Sequence, residues 1–447
     1  MLIDLSPRLL LLLLAFVVAL AIPRPSFSQS CPDLTSYYDR GDPDWPQILE
    51  SLSESFSSCL NSSEYFALYG SAQLYSGLLS EAIESLERSL LLNPDNGAAM
   101  IDYGEALFQD GQLFAAMEIN ELLQERSDIP LDAAEGIQQR QARWESMTRQ
   151  TNWGLELSAG HDNNLNGASD QDSITLTLSG EPVVLSLGED FRVVAGSLIN
   201  FRAVGSRQKL SVDSQETFRG EILTRLSDQK NANLAQASGR YLFRDTARES
   251  GWQFAAGINY LNYASNSLFT AIDSEVRYRV RPRGTCQPHM AVELQYQTWH
   301  DQNKLNGLES RLALGGVCSY PRRKNQSFSA DIGLINNAAI KQDRLGGNRD
   351  GWQVNLGWQT ALFQGQLLAQ ASYTQLKDQR GYSDLLAFNA QRDVSRTSVL
   401  LQYREDLPAF GDAAQIIMNV FYQNQDSNLD LFQTRDTSAQ IGISWGF

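Results

Sequence analysis

Ile441-Gly442-Ile443-Ser444-Trp445-Gly446-Phe447 ends the chain in strict alternation. Successive side chains of a strand leave opposite faces, so Ile441, Ile443, Trp445 and Phe447 share one face and Gly442, Ser444 and Gly446 the other. One face suits lipid, and the other is small or polar. A half-apolar strand that runs to the last residue and ends on an aromatic ring is how an outer-membrane β-barrel closes.

The same texture extends back to Thr151, as short alternating segments broken by Gly, Asn and Asp clusters. Strands are expected at 152–160, 191–203, 216–226, 231–243, 251–263, 271–283, 286–299, 308–320, 326–338, 351–362, 365–377, 393–404, 412–423 and 436–447. That makes about fourteen antiparallel strands, an even number as a single-chain bacterial barrel needs. Most reach the roughly 9–11 residues that cross a bilayer when tilted. Short connections at Gly284-Thr285, 321–325 and Phe363-Gln364 follow even-numbered strands. Long ones at 161–190, 339–350 and 378–392 follow odd-numbered strands, with 227–230 a short exception. Barrels keep their short turns in the periplasm, so Phe447 is expected on that side.

The other end reads as a secretory leader. Arg8 supplies a positive charge, 9–22 is apolar, and Ser26-Phe27-Ser28 offers small residues for cleavage after Ser28. The apolar run falls short of the roughly 20 residues of a transmembrane helix. The expected organisation is a signal peptide at 1–28, a periplasmic α-helical tetratricopeptide-like domain at 29–150 and an all-β outer-membrane barrel at 151–447. Charge follows the same division. The net −16 is concentrated in 29–150, where about 21 acids face 6 arginines and no lysine. An acidic module argues against nucleic acid, whose phosphates call for Lys and Arg.

Residues 63–130 repeat with a period of about 34. Tyr69-Gly70, Gly77 and Ala82 return as Tyr103-Gly104, Gly111 and Ala116, which is the tetratricopeptide pattern. Gly70 and Gly104 would let the two helices of a hairpin approach, Gly77 and Gly111 would make the turn, and Ala82 and Ala116 would keep the second helix close. Helices at 45–60 and 131–147 would cap the stack, since two repeats cannot bury a continuous core alone. A stack of helical hairpins makes a groove suited to a polypeptide, and the chemistry there is recognition.

Four cysteines in an exported chain point to two disulfides. Each module holds one pair, Cys31 with Cys59 and Cys286 with Cys318. Direct pairing of Cys286 with Cys318 centres a hairpin near Gln302, inside a turn-like 301–307, and puts both on one face. In 275–283, Arg277, Arg279, Arg281 and Arg283 alternate with apolar residues and Pro282. The apolar set must face lipid, so the arginines are expected in the lumen. There they are either a structural ladder paired with acids such as Glu293 and Glu309 or a positive stripe along a translocation path. No catalytic residues, cofactor site or metal spacing emerges. His289 and His300 would lie on opposite faces of one strand and His161 at a loop mouth, so none meets a serine as a hydrolase would need.

After Trp153 the chain reads Gly160-His161-Asp162-Asn163-Asn164-Leu165-Asn166-Gly167-Ala168, and then Ile174-Thr175-Leu176-Thr177-Leu178. A leading strand ending in Asp-x-Asn-apolar-Asn-x-Ala, then Ile-x-Leu-x-Leu, resembles the start of the barrel in the surface lipoprotein assembly modulator (Slam) family. That family also joins a periplasmic tetratricopeptide domain to a fourteen-stranded barrel. The resemblance implies passage of surface lipoproteins across the outer membrane, with a lipoprotein or its chaperone as client of the helical repeats. Membrane lipid and the barrel-assembly machinery would be further partners, and no bond chemistry is implied. Asp162, Asn163, Asn164 and Asn166 match the motif, and their residue types read first as turn-forming. A second reading is a porin that exports an exopolysaccharide, in which the arginine row would favour an anionic polymer.

Overall fold

The computed structural model describes residues 31–38, 43–320, 325–411 and 413–447. The leader read at 1–28, the turn segment 321–324 and residue 412 lie outside them. The chain divides into two compact units after Glu145.

The first unit has seven α-helices among the described residues: α1 (Thr35–Tyr38), α2 (Trp45–Glu54), α3 (Ser63–Tyr75), α4 (Leu79–Leu92), α5 (Gly97–Gln109), α6 (Leu113–Gln124) and α7 (Leu131–Met147). Their starts are written in the sequence. Side chains of Asp44, Ser62 and Asn96 cap α2, α3 and α5 by accepting from the amides of Gln47, Tyr65 and Ala99, donors the first helical turn leaves free. α3–α4 and α5–α6 are the two repeat hairpins. Gly77 and Gly111 sit at φ +81° and +83° in their turns, a conformation glycine adopts without strain. Ala82 and Ala116 are fully buried. Gly70 faces Leu86 so closely that a Cβ would come within 2.6 Å of its Cγ. Gly104 is less tight, with its nearest neighbours at 3.5 and 3.6 Å. Tyr69 stacks on Tyr65 at 5.5 Å, and Tyr103 packs against the cores on either side of α5. Trp144 of α7 is buried beside Leu107 and Ala116 and closes the stack. Cys31 is bonded to Cys59, which lies in the core formed with α2 and α3. No helix among the described residues is long and apolar enough to cross a membrane.

The second unit is a closed antiparallel barrel of fourteen strands. Its strands are β1 (Arg149–Asp162), β4 (Gly196–Leu210), β5 (Ser214–Ser227), β6 (Leu234–Asp245), β7 (Gly251–Tyr263), β8 (Asn266–Arg279), β9 (Cys286–Trp299), β10 (Gly307–Tyr320), β11 (Gln326–Ala339), β12 (Arg349–Leu362), β13 (Gly365–Gly381), β14 (Gln391–Asp406), β15 (Ala414–Ser427) and β16 (Thr434–Gly446). A separate hairpin, β2 (Ser173–Leu178) with β3 (Glu181–Ser186), interrupts the link from β1 to β4. β1 closes the cylinder by pairing with both β4 and β16, with Leu157 opposite Phe201 and Ile443. Past the end of β16, Phe447 still exchanges two backbone hydrogen bonds with Trp153, at 2.8 and 2.9 Å. Closure leaves no strand edge, the condition for backbone to cross lipid. The outward rows are apolar and exposed, as at Leu157, Ile199, Ile222, Ile258, Ile272 and Ile441. Inward rows carry Glu156, Arg202, Glu221, Glu275, Arg311 and Asp331.

One rim gathers the long links 163–195, 340–348 and 382–390, and with them a two-residue turn, Ala264-Ser265. β1 begins and β16 ends at the opposite rim, where the links are short, such as 211–213 and 363–364. Cys286 and Cys318 are direct cross-strand partners and are bonded.

Most strands differ by a few residues from the limits read in the sequence, only β7 and β9 matching at both ends, and two shifts bear on the site. β4 starts at Gly196, not 191, because 189–191 forms a turn of 3-10 helix. β8 runs 266–279, not 271–283, so Arg281 and Arg283 leave the barrel wall. The arginine alternation continues into the β8–β9 link, where Arg283 meets Cys286 through its backbone. The four arginines therefore do not form a single lumenal row.

Candidate functional site

The helical unit carries a polar cluster contributed mainly by α3 and α5, the first helices of the two hairpins, and by the closing helix α7. Asp102 accepts from the Ser71 hydroxyl and, at 3.1 Å, from the Tyr75 hydroxyl. Arg140 donates to the Ile101 carbonyl at 2.9 Å and to Asn120 Oδ1 at 2.6 and 2.8 Å, and lies over the Trp144 ring. Burial raises the Asp102 carboxyl above its ordinary range and pushes the Tyr75 phenol up to about 12. Tyr75 therefore remains a donor at neutral pH. It stacks on Trp45 at 4.9 Å while half its surface stays exposed. The result is an aromatic face with an embedded carboxylate, a surface chemistry suited to polypeptide.

The barrel lumen is lined by charges of both signs. On one wall Arg202 holds Glu221 through two bonds of 2.8 and 2.9 Å and reaches Glu156 at 3.5 Å. On the other wall Arg240 bridges Asp273 and Glu275, and Arg311 bridges Glu293 and Asp331. Arg277 pairs with Glu275 at 2.7 Å. Arg279 caps the Asp245 carbonyl, and Arg281 meets Glu249 at the short-turn rim with both side chains exposed. Glu293 thus serves Arg311, and Glu309 accepts from Asn337 and Gln297. Nearer the long-link rim, Arg344 of the 340–348 link turns inward to Asn337, and Arg392 pairs with Asp378 while lying over Tyr382 and Phe432.

The Asp-Asn motif is a latch at the barrel seam. Asp162 accepts from the Asn164 amide at 2.7 Å and faces Arg225 at 3.6 Å. Asn163 binds both backbone groups of Thr437 on β16. Asn164, buried, accepts from the Ala168 amide and donates to the carbonyls of Ala168 and Arg435, each at 3.0 Å. Asn166 joins Arg192 to Val194. Together they pin the β1–β4 link to the first and last strands. The link then carries β2–β3 along the rim, where Thr177 bonds Leu385 and Phe388, and Thr175 bonds Asp430. The sequence reading picked out Ile174–Leu178 but had no signal for this docking, because its partners lie more than 200 residues away. Outside the latch, β3 exposes Val184 and Leu185.

Among the described residues no group of three or more His, Cys, Asp and Glu is placed to hold a metal. His300 bonds Thr270, and His289 sits opposite Arg279 on the inward face.

No family model and no curated protein matches the chain. Solved structures are similar to its parts. The type III secretion translocator chaperone SycD of Yersinia enterocolitica matches at 16% identity over 23% of this chain and 73% of that one, with a TM-score of 0.22. An anion-selective porin from Comamonas acidovorans matches at 12% identity over 67% of this chain and 100% of its own, with a TM-score of 0.32. An outer-membrane channel from Pseudomonas putida F1 matches at 10% identity over 67% and 96%, with a TM-score of 0.32. These likenesses assign the chain no activity.

Proposed function

We propose that this protein sits in the outer membrane with its helical unit in the periplasm and helps a protein client, a surface lipoprotein in the first instance, to cross to the cell surface. The observation that carries the reading is the union, in one chain, of an aromatic, carboxylate-bearing repeat face with a barrel whose walls at Arg202, Arg240 and Arg311 hold ion pairs of both signs. Paired charges of both signs give a hydrated wall without strong selection by sign, which suits polypeptide of mixed charge. The helical repeats bind the client or its chaperone, and the barrel supplies the passage or insertion platform. Export of an anionic polysaccharide is the second reading. It would call for a continuous row of unpaired cations, whereas Arg277 is paired with Glu275 and Arg281 with Glu249, and the row leaves the barrel wall after Arg279. Deleting 29–145 while keeping leader and barrel tests the proposal. Loss of protease-accessible lipoprotein at the surface, with the barrel still heat-modifiable on gels, is the expected result. Normal lipoprotein display together with a block in polysaccharide release would replace it with the export reading.

A further inference from the structure

The lipid-facing wall has a hollow near the short-turn rim. Gly205 of β4 lies directly opposite Gly220 of β5, and Gly220 opposite Gly239 of β6. With no side chains on this row, a groove of about 780 Å3 opens between Trp153 on one flank and Ile258 and Tyr260 on the other. That volume is typical of a small-molecule site. Trp153 rests on Gly205, where a Cβ would come within 2.4 Å of its ring. Gly220 faces open space, its nearest atom a carbonyl oxygen at 4.0 Å.

Toward the rim the outward rows change character. Beside Phe218 and Tyr241 comes Arg207, and beyond it Lys209 paired in register with Arg149. At about 3.3 Å per residue, Arg207 and Lys209 lie roughly 7 and 13 Å along the strand from the glycine row. Glu216, opposite Lys209, and Asp245, opposite Ser214 at the end of β6, are the carboxylates on these rows. Three cations against two carboxylates leave net positive charge just outside an aromatic girdle, the depth of lipid phosphates.

We propose that the groove binds one acyl chain of an anionic glycerophospholipid from the adjoining leaflet, with its phosphate held by Arg207 and Lys209. A tail gains no hydrophobic free energy on leaving bilayer for groove, since both are apolar. Preference must come from dispersion contacts that fill the hollow and from cations at headgroup depth. The wall supplies both. The site does not depend on what crosses the barrel.

The test is native mass spectrometry of the full-length protein in detergent with added phosphatidylglycerol or phosphatidylethanolamine. One phosphatidylglycerol should survive activation that strips phosphatidylethanolamine. Gly220→Leu fills the groove and should lower its occupancy about tenfold, while the double variant Arg207→Gln, Lys209→Gln should keep a lipid but lose the headgroup preference. Should Gly220→Leu fail to assemble, quenching by brominated-chain phosphatidylglycerol, read as the difference between wild type and Trp153→Phe, decides the matter without altering the groove floor. Retention unchanged in Gly220→Leu, no excess quenching at Trp153, or a preference for an acylated peptide over phosphatidylglycerol would each overturn the proposal.

Discussion

Alanine at the two equivalent repeat glycines should have effects of opposite sign. Within a helix, Gly→Ala gains about 1 kcal/mol from backbone entropy alone. At Gly104 the new methyl meets Arg140 Nη2 at 3.5 Å and Ile119 Cγ2 at 3.6 Å, ordinary van der Waals contact, so most of that gain survives. At Gly70 it would lie 2.6 Å from Leu86 Cγ, 2.9 Å from Cδ2 and 3.1 Å from the Leu86 backbone nitrogen. Leu86 is fully buried, and its backbone cannot rotate away. α3 and α4 must separate, and overpacking of this kind costs about 1–3 kcal/mol. Net of the helix gain, Gly70→Ala destabilises its hairpin by up to about 2 kcal/mol, at most about thirtyfold in the opening equilibrium. Hydrogen exchange on the full-length chain reads this directly: amides of α3 and α4 exchange faster in Gly70→Ala, whereas those of α5 and α6 exchange more slowly in Gly104→Ala. If both variants moved the same way, or Gly70→Ala protected its hairpin, the close-packing argument for that turn of helix would be wrong.

Asn164→Ala should free the β1–β4 link. It removes three hydrogen bonds from a buried side chain, worth about 3 kcal/mol at roughly 1 kcal/mol each, and should speed exchange at Ala168, whose amide it frees, while the far wall at β8–β11 is unchanged. Asp102→Asn should alter the pH dependence of the helical unit. Burial raises the Asp102 carboxyl above its ordinary value of 3.8, so ionisation costs stability. That cost is absent below 3.8 and grows as pH rises through the folded value. Thermal melts should therefore show the variant gaining on wild type between pH 4 and pH 8, and a gap that narrowed over that range would count against the assignment. Deleting Phe447 removes two backbone bonds to Trp153, about 2 kcal/mol at the seam, and should slow conversion to the heat-modifiable form in a gel time course.

Much of the barrel was legible because lipid imposes period-two alternation on every strand. β7 and β9 carry the expected limits, and Cys286 opposite Cys318 follows from counting to the middle of one hairpin. The β7–β8 turn was not legible. Ala264 and Ser265 adopt φ of +49° and +69°, yet neither residue advertises a left-handed turn as Gly or Asn would, so β8 was read several residues late. The arginine row was misread for a related reason. Alternation in sequence continues past Arg279, whereas pairing in the sheet stops there. The latch was visible as a cluster of turn-forming residues, but its long-range partners on β16 were not. The lumenal ion pairs were predictable only as inward-facing charge, because which arginine reaches which acid depends on diagonal geometry across strands.

The seam also dictates an order of events. Leu157 finds its β16 partner in Ile443, nearly the whole barrel later in the chain. Loop-closure entropy makes so distant a pairing slow. β1 can dock early against β4, but its second edge stays open until the last strand is delivered, and an open edge is a template for wrong pairing. The helical unit has no such dependence. Its contacts are local, it precedes the barrel in the chain, and it can reach its native state while the strands are still unpaired.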